Sequence, residues 1–217
     1  MPVYFTPEFF RFLTRLKRNN NRDWFLAHKN EYEALVHQPA LQFITDFAAP
    51  LYKISPYLVA DARPSRGSLF RIYRDTRFSH DKRPYKTHVA MRFSHRGKNI
   101  HSPGFYLHLD QSGCFAASGL WHPEPPTLLK VRNAIVERAE EWRKVRKLLN
   151  WDDAAKLSRP PARFPLQSRI RRGPEVARFG HGRRFHAGAS FEPEIYDDVY
   201  RGLQEDVTRC RISEWRP

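Results

Sequence analysis

The apolar residues of this chain change their spacing at Ser55-Pro56, and that change constrains the fold more than any other feature. Before it, they recur at helical intervals. Thr6-Pro7-Glu8 reads as a helix start, with Thr6 as cap, Pro7 in the first turn and Glu8 at the positive dipole end. Phe9, Phe12, Leu13 and Leu16 then follow i, i+3, i+4, i+7. Asn19-Asn20-Asn21 interrupts the stripe, Asp23 is placed to cap a second helix, and Pro39 is placed to open a third with Phe43, Ile44 and Phe47 on its buried side.

After the break the runs are short and tend to alternate. Residues 69–75, 87–94, 105–111 and 114–121 read as strands, separated by Gly97, Pro103-Gly104 and Ser112-Gly113. The short break at Gln111-Ser112-Gly113 suits a tight hairpin. One long helix is expected from about Pro125 to Leu149. The resulting expectation is an α+β fold: N-terminal helices, a mostly antiparallel sheet of about four or more strands, then a long helix packed on it. A single domain is expected over 1–162, followed by an atypical Arg-rich, poorly ordered tail over 163–217.

Charge narrows the candidate functions. With 38 Lys+Arg against 23 Asp+Glu the net charge is +15, which favours anionic partners: an anionic small molecule or nucleic acid. No apolar run approaches the length of a membrane span, and the first residues lack the pattern of a secretory leader, so a cytoplasmic protein without membrane partners is expected. Cys114 and Cys210 stand far apart in no metal-ligand spacing. No GxSxG, GxGxxG or P-loop occurs, and no cofactor is expected.

The segment from Arg71 to His88, RIYRDTRFSHDKRPYKTH, concentrates the basic charge. Arg71, Arg74, Arg77, Lys82 and Lys86 are candidate anion contacts, because guanidinium forks and ammonium groups match phosphate and carboxylate. Tyr85 and Tyr106 are candidate pocket walls, and aromatic faces there also suit stacking on bases. His108 and His122 are candidate acid/base groups; by the period of two, His108 shares a strand face with Tyr106. Histidines at 80, 88, 101, 108 and 122 show no metal-ligand spacing, so a metal site would have to be assembled from distant strands, and none is expected. The competing reading makes the loop a scaffold: Asp75 neutralises an arginine, and Tyr73 and Phe78 are core.

FTPEFFRFLTRLKRNNNRDWFLAHKNEYE, RIYRDTRFSHDKRPYKTHV, GFYLHL and GLWHPEPPTLLKVRNAI together resemble the bacterial and fungal family named domain of unknown function 2461. The motifs run in order from about Tyr4 to Phe164. The resemblance implies an α+β domain and brings no activity, cofactor or catalytic residue. It places Asn20, Trp24, Phe25, Arg71, Tyr73, Arg74, Asp75, Arg77, Phe78, Lys82, Tyr85, Lys86, Tyr106, His122, Pro123 and Arg132 on characteristic positions.

The tail departs from these motifs. From Arg163 to Pro217 there are eleven arginines and no lysine, against ten lysines before it. Back-translation in a frame moved by one base permits strings resembling the family's C-terminal pattern, which points to a frameshift near Arg163 to Leu166. Resequencing the gene tests this; an uninterrupted frame encoding the tail as written overturns it.

Overall fold

The computed structural model describes residues 4–95, 102–120, 123–148 and 179–185. Its first element, α1 (Pro7–Arg18), forms as its sequence dictates: the Thr6 side chain accepts from the Phe9 amide, and Arg15, Lys17 and Arg18 occupy the last turn. The predicted stripe of Phe9, Phe12, Leu13 and Leu16 is buried throughout. In α2 (Arg22–Ala27) the cap is Asn21, whose side chain accepts from the Trp24 amide at 2.9 Å, and Asp23 lies inside the first turn. The expected third helix does not start afresh at Pro39. Short α3 (Lys29–Tyr32) runs through a π-helical turn, Glu33–His37, into α4 (Gln38–Ile54). Pro39 lacks an N–H to offer the preceding turn. The widened turn just before it has the Gln38 amide bonding back five residues to Glu33.

The sheet is an antiparallel meander in the order β1 (Leu58–Val59), β2 (Val89–His95), β3 (Gly104–Leu109), β4 (Cys114–Leu120) and β5 (Phe179–Phe185). The hairpin expected at Gln111-Ser112-Gly113 is present, closed by the Gly113 amide on the Asp110 carbonyl at 3.1 Å. The strand expected at 69–75 is reduced to two isolated bridges, Leu69 to Met91 and Tyr73 to Tyr85. A continuous ladder fails there because Pro84 offers no N–H and the Arg71 carbonyl accepts from Lys86 Nζ at 2.8 Å instead of from backbone.

Register sorts the sheet residues by face. Met91 pairs with Leu107, Phe93 with Phe105 and Val89 with Leu109, and these point toward the helices. All six are buried, joined by Cys114 and Ala116 in one core with Phe9, Phe12, Phe43 and Phe47. The Phe47 and Phe93 rings lie 5.1 Å apart, marking where α4 meets the sheet.

The single long helix expected after the sheet is two, α5 (Pro125–Glu137) and α6 (Ala139–Leu148), separated by Arg138 at φ −112°, ψ 47°. No proline or glycine causes the break. It lets Ala139 and Trp142 fold back onto Ile135, Leu128 and Val131, so local burial outweighs helix continuity. Among the described residues no helix is long and apolar enough to cross a membrane.

Candidate functional site

The opposite face of the sheet is built differently. Arg92 pairs with Tyr106, Ala90 with His108, and His108 in turn with Phe115, so Arg92, Tyr106, His108 and Phe115 share one side. All four are half-buried. The shared face of Tyr106 and His108 follows from the period of two, as expected. Phe70 reaches this face from the loop, with its ring 6.3 Å from Tyr106.

The segment from Arg71 to His88 is anchored before it reaches the face. Asn20, after α1, donates from Nδ2 to the Tyr85 carbonyl at 2.9 Å, and the Tyr85 amide donates to its Oδ1 at 3.0 Å. Tyr85 is 3% exposed and stacked on Phe25 at 4.2 Å, so it belongs to the core side of the loop.

Most of the loop arginines are neutralised locally, by a repeated device. The spacing Asp-x-Arg occurs at Asp61-Arg63, Asp75-Arg77 and Asp81-Arg83. In each, the arginine amide bonds the aspartate Oδ1 while its guanidinium grips the same carboxylate. Arg74 joins the third pair, 2.7 Å from Asp81 Oδ2. The Arg77 side chain holds the Asp75 carboxyl down at about 2, and Arg83 with Arg74 holds Asp81 well below the usual carboxylate range. Lys82 Nζ donates to the Thr76 carbonyl at 3.1 Å. Phe78, at 96% exposure, is solvent-facing and not core, with the Arg77 guanidinium 5.7 Å from its ring centre.

The remaining cations face a different environment. No carboxylate among the described residues lies within ion-pair reach of Arg71, Lys82, Lys86 or Arg92. Lys86 Nζ sits 5.5 Å from the centre of the Phe70 ring, and burial, helped by the Arg71 charge, lowers its pKa. Arg92 donates from Nη2 to the Ser102 carbonyl, while its buried Nε has no acceptor among the described residues.

Beside these cations stands a cluster that spacing arguments did not assemble. His88, just before β2, stacks on His108 at 4.4 Å, and His108 on Phe115 at 4.8 Å. The Tyr106 hydroxyl is 3.1 Å from His108 Nδ1. With Asp110 just after β3, His88 and His108 offer one ligand atom each, and the three atoms lie within 4.8 Å of one another. Burial, with smaller contributions from His108 and Lys86, pushes His88 down to about 4, and burial also lowers His108. Burial works to raise Asp110, but hydrogen bonds from the Ser112 hydroxyl and amide, together with His108 and Lys17, outweigh it and leave the carboxyl lowered. Two neutral imidazoles and one carboxylate are the donor set that a divalent transition metal takes.

Of the residues singled out from sequence, Lys86, Tyr106 and His108 come together on the open face, with Arg71 exposed beside Lys86. Arg74, Arg77 and Lys82 lie in the outer loop, Tyr85 lies in the core, and His122 lies outside the described residues. Arg92 carries no signal in the sequence, and His88 and Asp110 enter there only as members of a dispersed set without metal-ligand spacing, which the fold brings together with His108. His108-Leu109-Asp110 carries the signal for Asp110, since a spacing of two keeps both polar side chains on one side of a strand end.

No curated protein and no solved structure matches the chain. A family model described as conserved hypothetical protein does match, over residues 8–205, continuing past Phe164 where the motifs quoted above end. The chain therefore belongs to the conserved hypothetical protein family DUF2461.

Proposed function

We propose that the domain binds a small ligand bearing a phosphate or carboxylate on the open face of its sheet. Lys86, Arg92 and Arg71 are its anion contacts, and Phe70 and Tyr106 are its walls. The observation that carries this reading is the half-buried Lys86, held over Phe70 next to Arg71 with no carboxylate of the described residues in reach. A cation kept partly dehydrated and uncompensated is arranged for an anion that arrives from outside. The buried Arg92 Nε, with no acceptor among the described residues, supports the same reading.

Titration of inorganic phosphate into the protein, in EDTA and followed by thermal unfolding, tests it. A saturable rise in midpoint is expected, lost in Lys86→Ala and kept in Arg77→Ala, whose guanidinium already serves Asp75. Absence of saturation, or equal loss in both variants, overturns the proposal.

The exposed Phe78 beside Arg77 favours a second reading, in which the outer loop stacks on unpaired bases. Its mark is binding to single-stranded oligonucleotides that weakens steeply with salt and is lost in Phe78→Ala.

A further inference from the structure

The geometry points to a binding site for one divalent transition-metal ion of the zinc or iron(II) class, held by His88, His108 and Asp110. The three ligand atoms already converge within 4.8 Å from separate stretches of chain: the approach to β2, the body of β3 and its end. Metal–ligand bonds of roughly 2.0–2.2 Å place ligand atoms about 3–3.5 Å apart. Coordination requires the stacked His88 and His108 rings to turn so that both planes contain the ion, a change side-chain rotation supplies.

The surroundings suit coordination more than packing alone. The Tyr106 hydroxyl engages His108 Nδ1, which leaves Nε2 as the ligand atom and fixes the ring. Ser112 donates to Asp110 Oδ1 through both its amide and its hydroxyl, so Oδ2 is left for a metal. Two of the three ligands, His108 and Asp110, are thus oriented by a neighbour, as in built metal sites.

Donor type restricts the ion. Two nitrogens and one oxygen favour zinc or iron(II) over magnesium or calcium, which prefer oxygen alone. Three protein ligands leave at least one position open, as in catalytic and not structural centres. Lys86 and Arg74 add positive charge near His88, which opposes a bare cation and favours an anion completing the coordination shell. The metal site does not depend on that anion.

Protein stripped with EDTA, exchanged into metal-free buffer and titrated with Zn²⁺ by calorimetry, and with Co²⁺ by visible absorption, tests the site. One saturable equivalent is expected, with Co²⁺ bands of a four- or five-coordinate ion. Asp110→Asn and His88→Gln each weaken binding at least about tenfold, and Tyr106→Phe weakens it by about tenfold. His80→Ala, an exposed histidine of the outer loop, leaves it unchanged. Circular dichroism melts establish that each variant folds, and Tyr106→Phe carries the test if His88→Gln does not. Lack of saturable binding, or binding equal in the wild type and in Asp110→Asn, overturns the inference. Metal is the sole probe here, and phosphate is titrated separately in EDTA, so either proposal fails without the other.

Discussion

The two faces of one sheet follow opposite rules. Along β2 and β3 the helix-facing positions hold Val89, Met91, Phe93, Phe105, Leu107 and Leu109, all buried. The positions between them hold Arg92, Tyr106 and His108, all half-buried, and the small buried Ala90. The pleat forces neighbours to opposite sides, so one stretch of strand serves both stability and recognition. The difference teaches where each variant effect should fall. Apolar truncation on the helix side costs stability, while change on the open side costs binding.

The largest effect comes from cutting the same side chain on each face. Phe93→Ala removes a ring that is 1% exposed and packed on Phe47, and about 3–5 kcal/mol of unfolding free energy goes with it. Phe115→Ala, on the half-buried face, loses about half of that or less. Denaturant unfolding of both variants measures the gap, and equal losses would erase the proposed division.

Thiol chemistry sharpens the same comparison. Cys114 lies on the helix side, and burial pushes its thiol up to about 11. At pH 8 in a Cys210→Ser background, its labelling by a disulfide reagent should run roughly two orders of magnitude slower in native than in unfolded protein. Rapid native labelling would mean that the apolar face opens readily.

The smallest effect lies in the outer loop. Asp75 is paired with Arg77 at the exposed surface of the loop, so Asp75→Asn should leave the unfolding midpoint at pH 7 unchanged within error. The depressed folded-state pKa means the pair persists above the ordinary carboxylate value and is lost as pH falls to about 2. Carboxyl NMR titration checks this; a midpoint near the ordinary value would show that the pair does not form in solution.

Much of this was legible in the residues. Helix α1 could be read from Thr6-Pro7-Glu8 and its stripe because capping and periodicity are local. The β3–β4 hairpin could be read because Ser112-Gly113 separates two alternating runs. The strand at 69–75 and the unbroken last helix were misread because propensity carries no record of competing partners. Lys86 takes the Arg71 carbonyl, and Ile135 draws back Ala139 and Trp142. The Asp-x-Arg device was also visible in the sequence, and it removes Arg77 and Arg83 from the free charge that made the loop conspicuous.

By itself, then, the sequence determined the element types, the two-faced sheet and the basic loop, because each depends on residues within a few positions of one another. Tertiary structure alone decided which cations remain uncompensated and that His88 meets His108 and Asp110. Those outcomes depend on strand register and on the Asn20 anchor joining residues 65 positions apart. Contacts of such separation are set by how the whole chain packs, and no local pattern encodes them.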